Sequence, residues 1–177
     1  MRSINSDNKD LSNKKIKNAT TLIYKDIKFR SKSEVTFYKM LEELSNNVEG
    51  IEFAYEPRKF IVYPSTKYDN INIFKPSKES YTDSTGQTKK KFSKYLSLQE
   101  GVFRAISYTP DFLITKGHNI IFIDIKGWTN DTYPIKMKMF LGVIANEAKV
   151  HKDINYTFAE PHNTTQMKQI IDYIKNL

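Results

Sequence analysis

Apolar residues recur along this chain with two periods. Val35, Phe37, Tyr38, Met40, Leu41, Leu44 and Val48 fall at helical spacing, so the pattern predicts an amphipathic helix facing a core and ending at Asn46–Asn47 or near Gly50. Ser31 and Glu34 stand at capping-box spacing, in which the glutamate reaches back to the cap amide. Two short apolar runs follow, residues 51–56 and 60–63, which read as strands split at Pro57. Residues 104–115 and 119–126 predict two central strands joined near Gly117. Pro134 opens a second helix running to about Lys149, and residues 155–158 read as a further strand. Asn163 or Thr164 caps a last helix carrying Met167, Ile170, Ile171, Ile174 and Leu177.

Between these elements lie two stretches of different character. Residues 1–28 are rich in lysine, asparagine and serine and poor in apolar periodicity, which predicts a flexible basic arm. It reads either as a contact to nucleic-acid phosphates or as an inert tail. Residues 64–103 are broken by proline, asparagine, serine and Gly86, and interleave aromatic residues with lysines, including the run Lys89-Lys90-Lys91. One reading is a nucleic-acid-facing flap, the cations meeting phosphates and the rings stacking on bases. The other is an insertion whose rings complete a small satellite core; most of the rings fit this second reading, and Lys89, Lys90 and Lys91 fit the first.

The order helix, strands, helix, strand, helix predicts one α/β domain over residues 29–177, with residues 64–103 as an insertion. A chain of 177 residues, 39% hydrophobic and 13% aromatic, can bury a real core. It has no cysteine, so disulfides and thiolate metal sites are excluded. No membrane span or secretory signal is visible, and a cytoplasmic location is expected by default. The formal charge of +8 favours a polyanionic partner, although a lysine-rich solvated surface accounts for it equally.

Chemistry concentrates on the two central strands. Asp111 stands in the run Thr109-Pro110-Asp111-Phe112-Leu113-Ile114, and Asp124 and Lys126 in Ile123-Asp124-Ile125-Lys126-Gly127. A strand's period of two puts Asp124 and Lys126 on one face and Ile123 and Ile125 on the other. Two acids and a lysine buried together are unfavourable unless paired, and a divalent cation would pair them. Taken singly, Asp111 reads also as a turn aspartate and Asp124–Lys126 as a same-face ion pair. His118, His151 and His162 are scattered and suggest no histidine-based mechanism.

Pro110-Asp111 followed by Asp124-Ile125-Lys126 resembles the signature of the PD-(D/E)xK nuclease superfamily. The surrounding residues, from Ser33-Glu34 through Tyr55-Glu56 to Gly127-Trp128, are similar to phage endonuclease I-type Holliday-junction resolvases and related phage and transposon endonucleases. Two features depart from that pattern: aspartate stands at position 124 where those enzymes usually carry glutamate, and residues 64–103 are inserted. The resemblance implies a restriction-endonuclease-like αβββαβ core with a mixed central sheet flanked by helices. It implies magnesium, replaceable by manganese, held by Asp111, Asp124 and the backbone carbonyl of Ile125, with Lys126 acting on the attacking water and the phosphate. It also maps Glu34 to the family's helical acid, a ligand for a second ion, besides its reading as a cap. Glu56 is either an auxiliary ligand through water or a surface residue. Lys136 and Lys138, early in the second helix, either meet the DNA backbone or are ordinary exposed lysines. Trp128 either shapes the cleft or caps the core. The implied activity is hydrolysis of DNA by a homodimer at branched substrates. The alternatives are nicking or double-strand cleavage within the same superfamily, a catalytically silent DNA-binding module, and a ribonuclease.

Overall fold

The computed structural model describes residues 22–67, 71–99, 102–127 and 131–177. In chain order the elements are β1 (Leu22–Tyr24), β2 (Ile27–Phe29), α1 (Lys32–Asn47), β3 (Ile51–Tyr55), β4 (Phe60–Tyr63), β5 (Thr66–Lys67) and β6 (Ile73–Thr82). They continue with β7 (Thr88–Gln99), β8 (Val102–Phe103), β9 (Ile106–Tyr108), β10 (Phe112–Lys116), β11 (Asn119–Ile123), α2 (Tyr133–Val150), β12 (Asn155–Ala159) and α3 (Thr164–Lys175). The class is mixed α/β. No helix among the described residues is long and apolar enough to cross a membrane. The described residues form two compact units, one drawn from residues 22–57, 111–127 and 153–177 and the other from 58–110 and 131–152.

The first unit is built on a four-stranded sheet of order β12-β11-β10-β3. β10 runs antiparallel to both β3 and β11, while β11 and β12 are parallel. The β10–β11 hairpin closes on Lys116 opposite Asn119, and Gly117 takes φ of +55° there, a conformation in which a side chain is strained. One sheet face is apolar because Phe112, Ile114, Ile121 and Ile123 alternate with the residues of the other face. α1 lays Phe37, Leu41 and Leu44 on it, and α3 adds Met167 and Ile174. Phe37 meets Phe112 edge to face at 5.1 Å. As the alternation predicts, Ile125 continues this core beyond the last residue of β11. α3 begins at Asn163, whose side chain accepts the Gln166 amide at 3.0 Å.

Two expectations change here. The sequence predicts a flexible arm through residue 28, but Leu22–Tyr24 and Ile27–Phe29 pair as a hairpin turning at Lys25 and Asp26, both at positive φ. Phe29 is fully buried and packs on Tyr38 at 5.2 Å and Tyr55 at 4.5 Å, which ties this segment to α1 and β3. Residues 1–21 of the arm, and Trp128, lie outside the described residues. The strand expected over 104–115 is two strands, β9 and β10, divided at Pro110, which has no amide hydrogen to offer a ladder.

The second unit pairs β4 with β9, β5 with β8, and β6 with β7. α2 begins with Pro134 in its first turn, as expected. Its Phe140 stacks on Tyr108 at 4.6 Å and meets Phe60 at 5.0 Å, joining the helix to both strands of the β4–β9 pair.

Candidate active site

The hairpin register brings the two aspartates together. Phe112 pairs with Ile123, so Asp111 and Asp124 flank the open end of the β10–β11 ladder. Backbone hydrogen bonds fix both ends. The Ile125 amide donates to Asp111 Oδ2 at 2.7 Å, and the Glu56 amide to the Asp111 carbonyl at 2.8 Å. The Asp124 and Lys126 amides donate to the carbonyls of Ala159 and Pro161, each at 3.1 Å, so residues 124–126 stay extended after β11 ends. Asp111 and Asp124 are 6% and 2% exposed. The Lys126 ammonium contacts Asp124 Oδ1, and only 17% of the lysine side chain is exposed. Asp111, Asp124 and Lys126 thus form one cluster.

This cluster is short of positive charge. Burial pushes the Asp111 carboxyl up to about 8, and the adjacent Asp124 carboxylate adds to the effect; Lys126 opposes it, and Glu34 contributes a smaller push upward. Near neutral pH the pair therefore holds a proton that two separate carboxylates would not. Two buried carboxylates with hard oxygens could hold a magnesium ion that keeps several waters.

Glu34 is held differently. It is 5% exposed and lies in the first turn of α1. Ser31 Oγ accepts the Glu34 amide at 3.2 Å and donates to Glu34 Oε1 at 2.9 Å. Oε2 accepts the Arg30 amide at 3.0 Å, one residue before the cap, and the Tyr55 hydroxyl at 2.6 Å. The expected cap therefore exists, with the glutamate reaching Arg30 rather than Ser31. Burial first, and then the bond to Glu34, raise the Tyr55 hydroxyl well above the usual phenol range, so it is a donor at neutral pH. Among the described residues no group of three or more histidine, aspartate or glutamate side chains is arranged to hold a metal ion. The donor set that fits one is the aspartate pair, with Glu34 in electrostatic reach of Asp111.

Glu56 follows β3 at φ of +45°, and its carboxylate pairs with the Arg30 guanidinium. Its anion is thus matched by a cation of the same unit. Lys136 is half-buried and Lys138 exposed on α2. Lys89, Lys90 and Lys91 lie on β7, all exposed, but they are not equivalent, since Lys89 pairs with Asp83 at 2.5 Å. These five lysines belong to the second unit and the acids to the first.

Two residues escaped the sequence reading, Arg30 and Tyr55. Tyr55 had a legible signal: Ile51, Phe53 and Tyr55 alternate toward α1, which places the last side chain beside the start of that helix. Tyr55→Phe would remove a donor from a buried carboxylate and is expected to lower stability by about 1–2 kcal/mol in urea denaturation. An unchanged midpoint would mean that the hydroxyl does not hold Glu34.

Residues 14–158 match the family described as "Protein of unknown function (DUF1064)". No curated protein and no solved structure matches the chain.

Proposed function

The chain belongs to the DUF1064 family, and from the site it carries we propose that it is a magnesium-dependent endonuclease hydrolysing DNA phosphodiester bonds. The observation that carries this reading is the meeting of Asp111, Asp124 and Lys126 at the adjoining ends of β10 and β11, with both aspartates buried and the backbone fixed by hydrogen bonds. Two coarser features agree with it: α1, β3, β10, β11, α2 and β12 follow one another along the chain in the order αβββαβ, and the first unit holds a mixed sheet.

Asp111 and Asp124, with the Ile125 carbonyl, would hold the ion. When bound, magnesium lowers the pKa of a water and offsets charge growing on the scissile phosphate. Lys126, anchored by Asp124, presents an ammonium that can donate to the attacking water or to a non-bridging phosphate oxygen. Asp124 thereby serves twice, as an ion ligand and as the group that aims the lysine. Glu34 shapes the local field; a second ion there would have to replace the hydrogen bonds from Arg30, Ser31 and Tyr55. The preferred substrate in this reading is branched DNA cut by a homodimer, because a junction needs symmetric cuts in two strands.

The test is a substrate panel of linear, nicked, flapped, four-way, single-stranded and RNA molecules, with magnesium and with chelator. Magnesium-dependent cutting that is fastest on branched DNA is expected. Cutting that persists in excess chelator would remove the metal, and equal rates on linear and branched duplexes would remove the junction preference alone.

A further inference from the structure

The β6–β7 hairpin concentrates charge and exposed rings in a way that its own folding does not explain. It carries six lysines against Glu79 and Asp83, an excess equal to half the chain's net charge of +8. Its tip consumes one of them. Asp83 Oδ1 accepts the Thr85 and Gln87 amides at 2.9 and 3.0 Å, and Oδ2 pairs with Lys89 at 2.5 Å. The Lys89 ammonium, then the Thr85 hydroxyl, hold the Asp83 carboxyl well below the usual range, so this turn is a closed ionic unit. Four of the other five, all but Lys90, are placed against rings. Lys78 Nζ lies 5.7 Å from the centre of Phe92, Lys91 5.5 Å from Tyr81, Lys94 5.7 Å from Tyr95, and Lys75 5.3 Å from Phe103 on β8.

A two-stranded ribbon ordinarily needs another layer over an apolar face to be stable. Here Phe92 is 65% and Tyr95 73% exposed. The ladder is irregular beside them: Pro76 faces Leu96 and Lys78 faces Phe92, so Ser77 stands against Ser93, Lys94 and Tyr95. A second copy of the ribbon is a poor cover, since like charges would meet. The repeating unit is a ring with an ammonium beside it, which complements one nucleotide: the cation takes the phosphate and the ring takes an unstacked base. Bases in duplex DNA are already stacked and offer no free face.

We propose that the β6–β7 hairpin is a binding platform for an unpaired nucleic-acid strand, using Phe92 and Tyr95 for bases and Lys78, Lys90, Lys91 and Lys94 for phosphates. The proposal rests on the nuclease reading above and deepens it by naming the feature of branched DNA that is recognised. Paired arms are then secondary, and among branched substrates those that carry an unpaired strand at the branch, such as flaps, are the ones the hairpin favours.

The test is fluorescence anisotropy of the full chain in chelator, with a labelled twenty-nucleotide oligothymidine, a duplex of the same length, and vesicles rich in phosphatidylserine. Oligothymidine is expected to bind at least about tenfold more tightly than duplex, and Phe92→Ala with Tyr95→Ala to weaken it by about tenfold or more per ring at an unchanged salt slope. Lys78→Ala with Lys90→Ala is expected to reduce the slope of log affinity against log salt by about 0.7 per lysine. Lys89→Ala should leave that slope where it is, because its charge is spent within the turn. These side chains are exposed, and an unchanged melting temperature confirms that each variant is folded. Equal binding by the ring variant, a preference for duplex, or tight vesicle binding lost in the same variants would each overturn the platform. If the wild type cuts DNA with magnesium while hairpin variants bind normally, only the platform fails. If the wild type binds oligothymidine through the hairpin but cuts nothing on the substrate panel, only the nuclease reading fails.

Discussion

Asp124→Asn and Lys126→Ala are each expected to lower magnesium-dependent cleavage by about a hundred- to a thousandfold, the range found when one preorganised group facing developing charge is removed. The two should fail differently. Asp124→Asn keeps the shape of the side chain and loses an ion ligand together with the partner of Lys126, so raising magnesium should recover little. Lys126→Ala leaves both aspartates in place, and ion binding should survive while turnover falls. Losing the lysine also removes the ammonium that opposes proton uptake by the pair, so Lys126→Ala should need a higher pH for ion binding. Glu56→Gln is the contrast: its carboxylate pairs with Arg30, and the rate should stay within about threefold, as for a surface ion pair. The measurement is single-turnover cleavage of a four-way junction, with circular dichroism to verify folding. If the Asp124→Asn variant cuts within about fivefold of the wild-type rate, Asp124 is not a ligand of the reacting ion and the site lies elsewhere.

Much of this architecture was legible because period and punctuation agreed. α1 has a three-to-four-residue apolar stripe, a serine cap that marks its start and a glycine just beyond its end, and the three signals agree on one helix. The pairing of Asp124 with Lys126 followed from alternation alone, because two residues of spacing on a strand can only share a face. The division at Pro110 was harder. Ile106–Tyr108 and Phe112–Lys116 are both apolar strands, and nothing local says that the first pairs with β4 and the second with β3 and β11. Partner choice is a long-range property, and sequence spacing does not encode it. The tail of the arm was missed for a similar reason. Leu22–Phe29 is a short apolar run at the end of a polar stretch, and its order rests on distant partners: Phe29 packs between Tyr38 and Tyr55, and Tyr24 donates to Glu42. The satellite-core reading of the inserted rings does not hold for Phe74, Tyr81, Phe92 and Tyr95, all of which are exposed; Tyr68 lies outside the described residues. Lysines cannot be ranked from sequence either: Lys89, Lys90 and Lys91 look identical until Asp83 takes the first of them.

Asp111→Asn is expected to stabilise the metal-free protein at pH 8 while abolishing its cleavage. The sign follows from the proton. Asp111 has an ordinary value of 3.8 and is pushed up to about 8 in the folded chain, chiefly by burial and by Asp124. Between those values the folded state holds a proton that the unfolded state has released, so stability falls as pH rises through that window, and the whole penalty is present above about pH 8. An asparagine at this position is neutral at every pH. Its carbonyl can still accept the Ile125 amide, and its amide can donate to Asp124 where two carboxylates would repel. The variant should therefore lose the downward slope between pH 5 and 8 and melt higher than wild type at pH 8, by a few kcal/mol or about 5–10 °C. At pH 5 the two proteins should differ little. Magnesium supplies the converse: a divalent cation takes the place of the retained proton, so it should raise the wild-type melting temperature more at pH 8 than at pH 5, and should not raise that of Asp111→Asn. Thermal melts at the two pH values, with magnesium and with chelator, separate the possibilities. A wild-type protein whose stability is flat from pH 5 to 8 and indifferent to magnesium would mean that the two aspartates share neither a proton nor an ion. A cation response that persists in the asparagine variant would move the ion away from Asp111. Stability and activity are thus expected to pull in opposite directions at this one carboxylate.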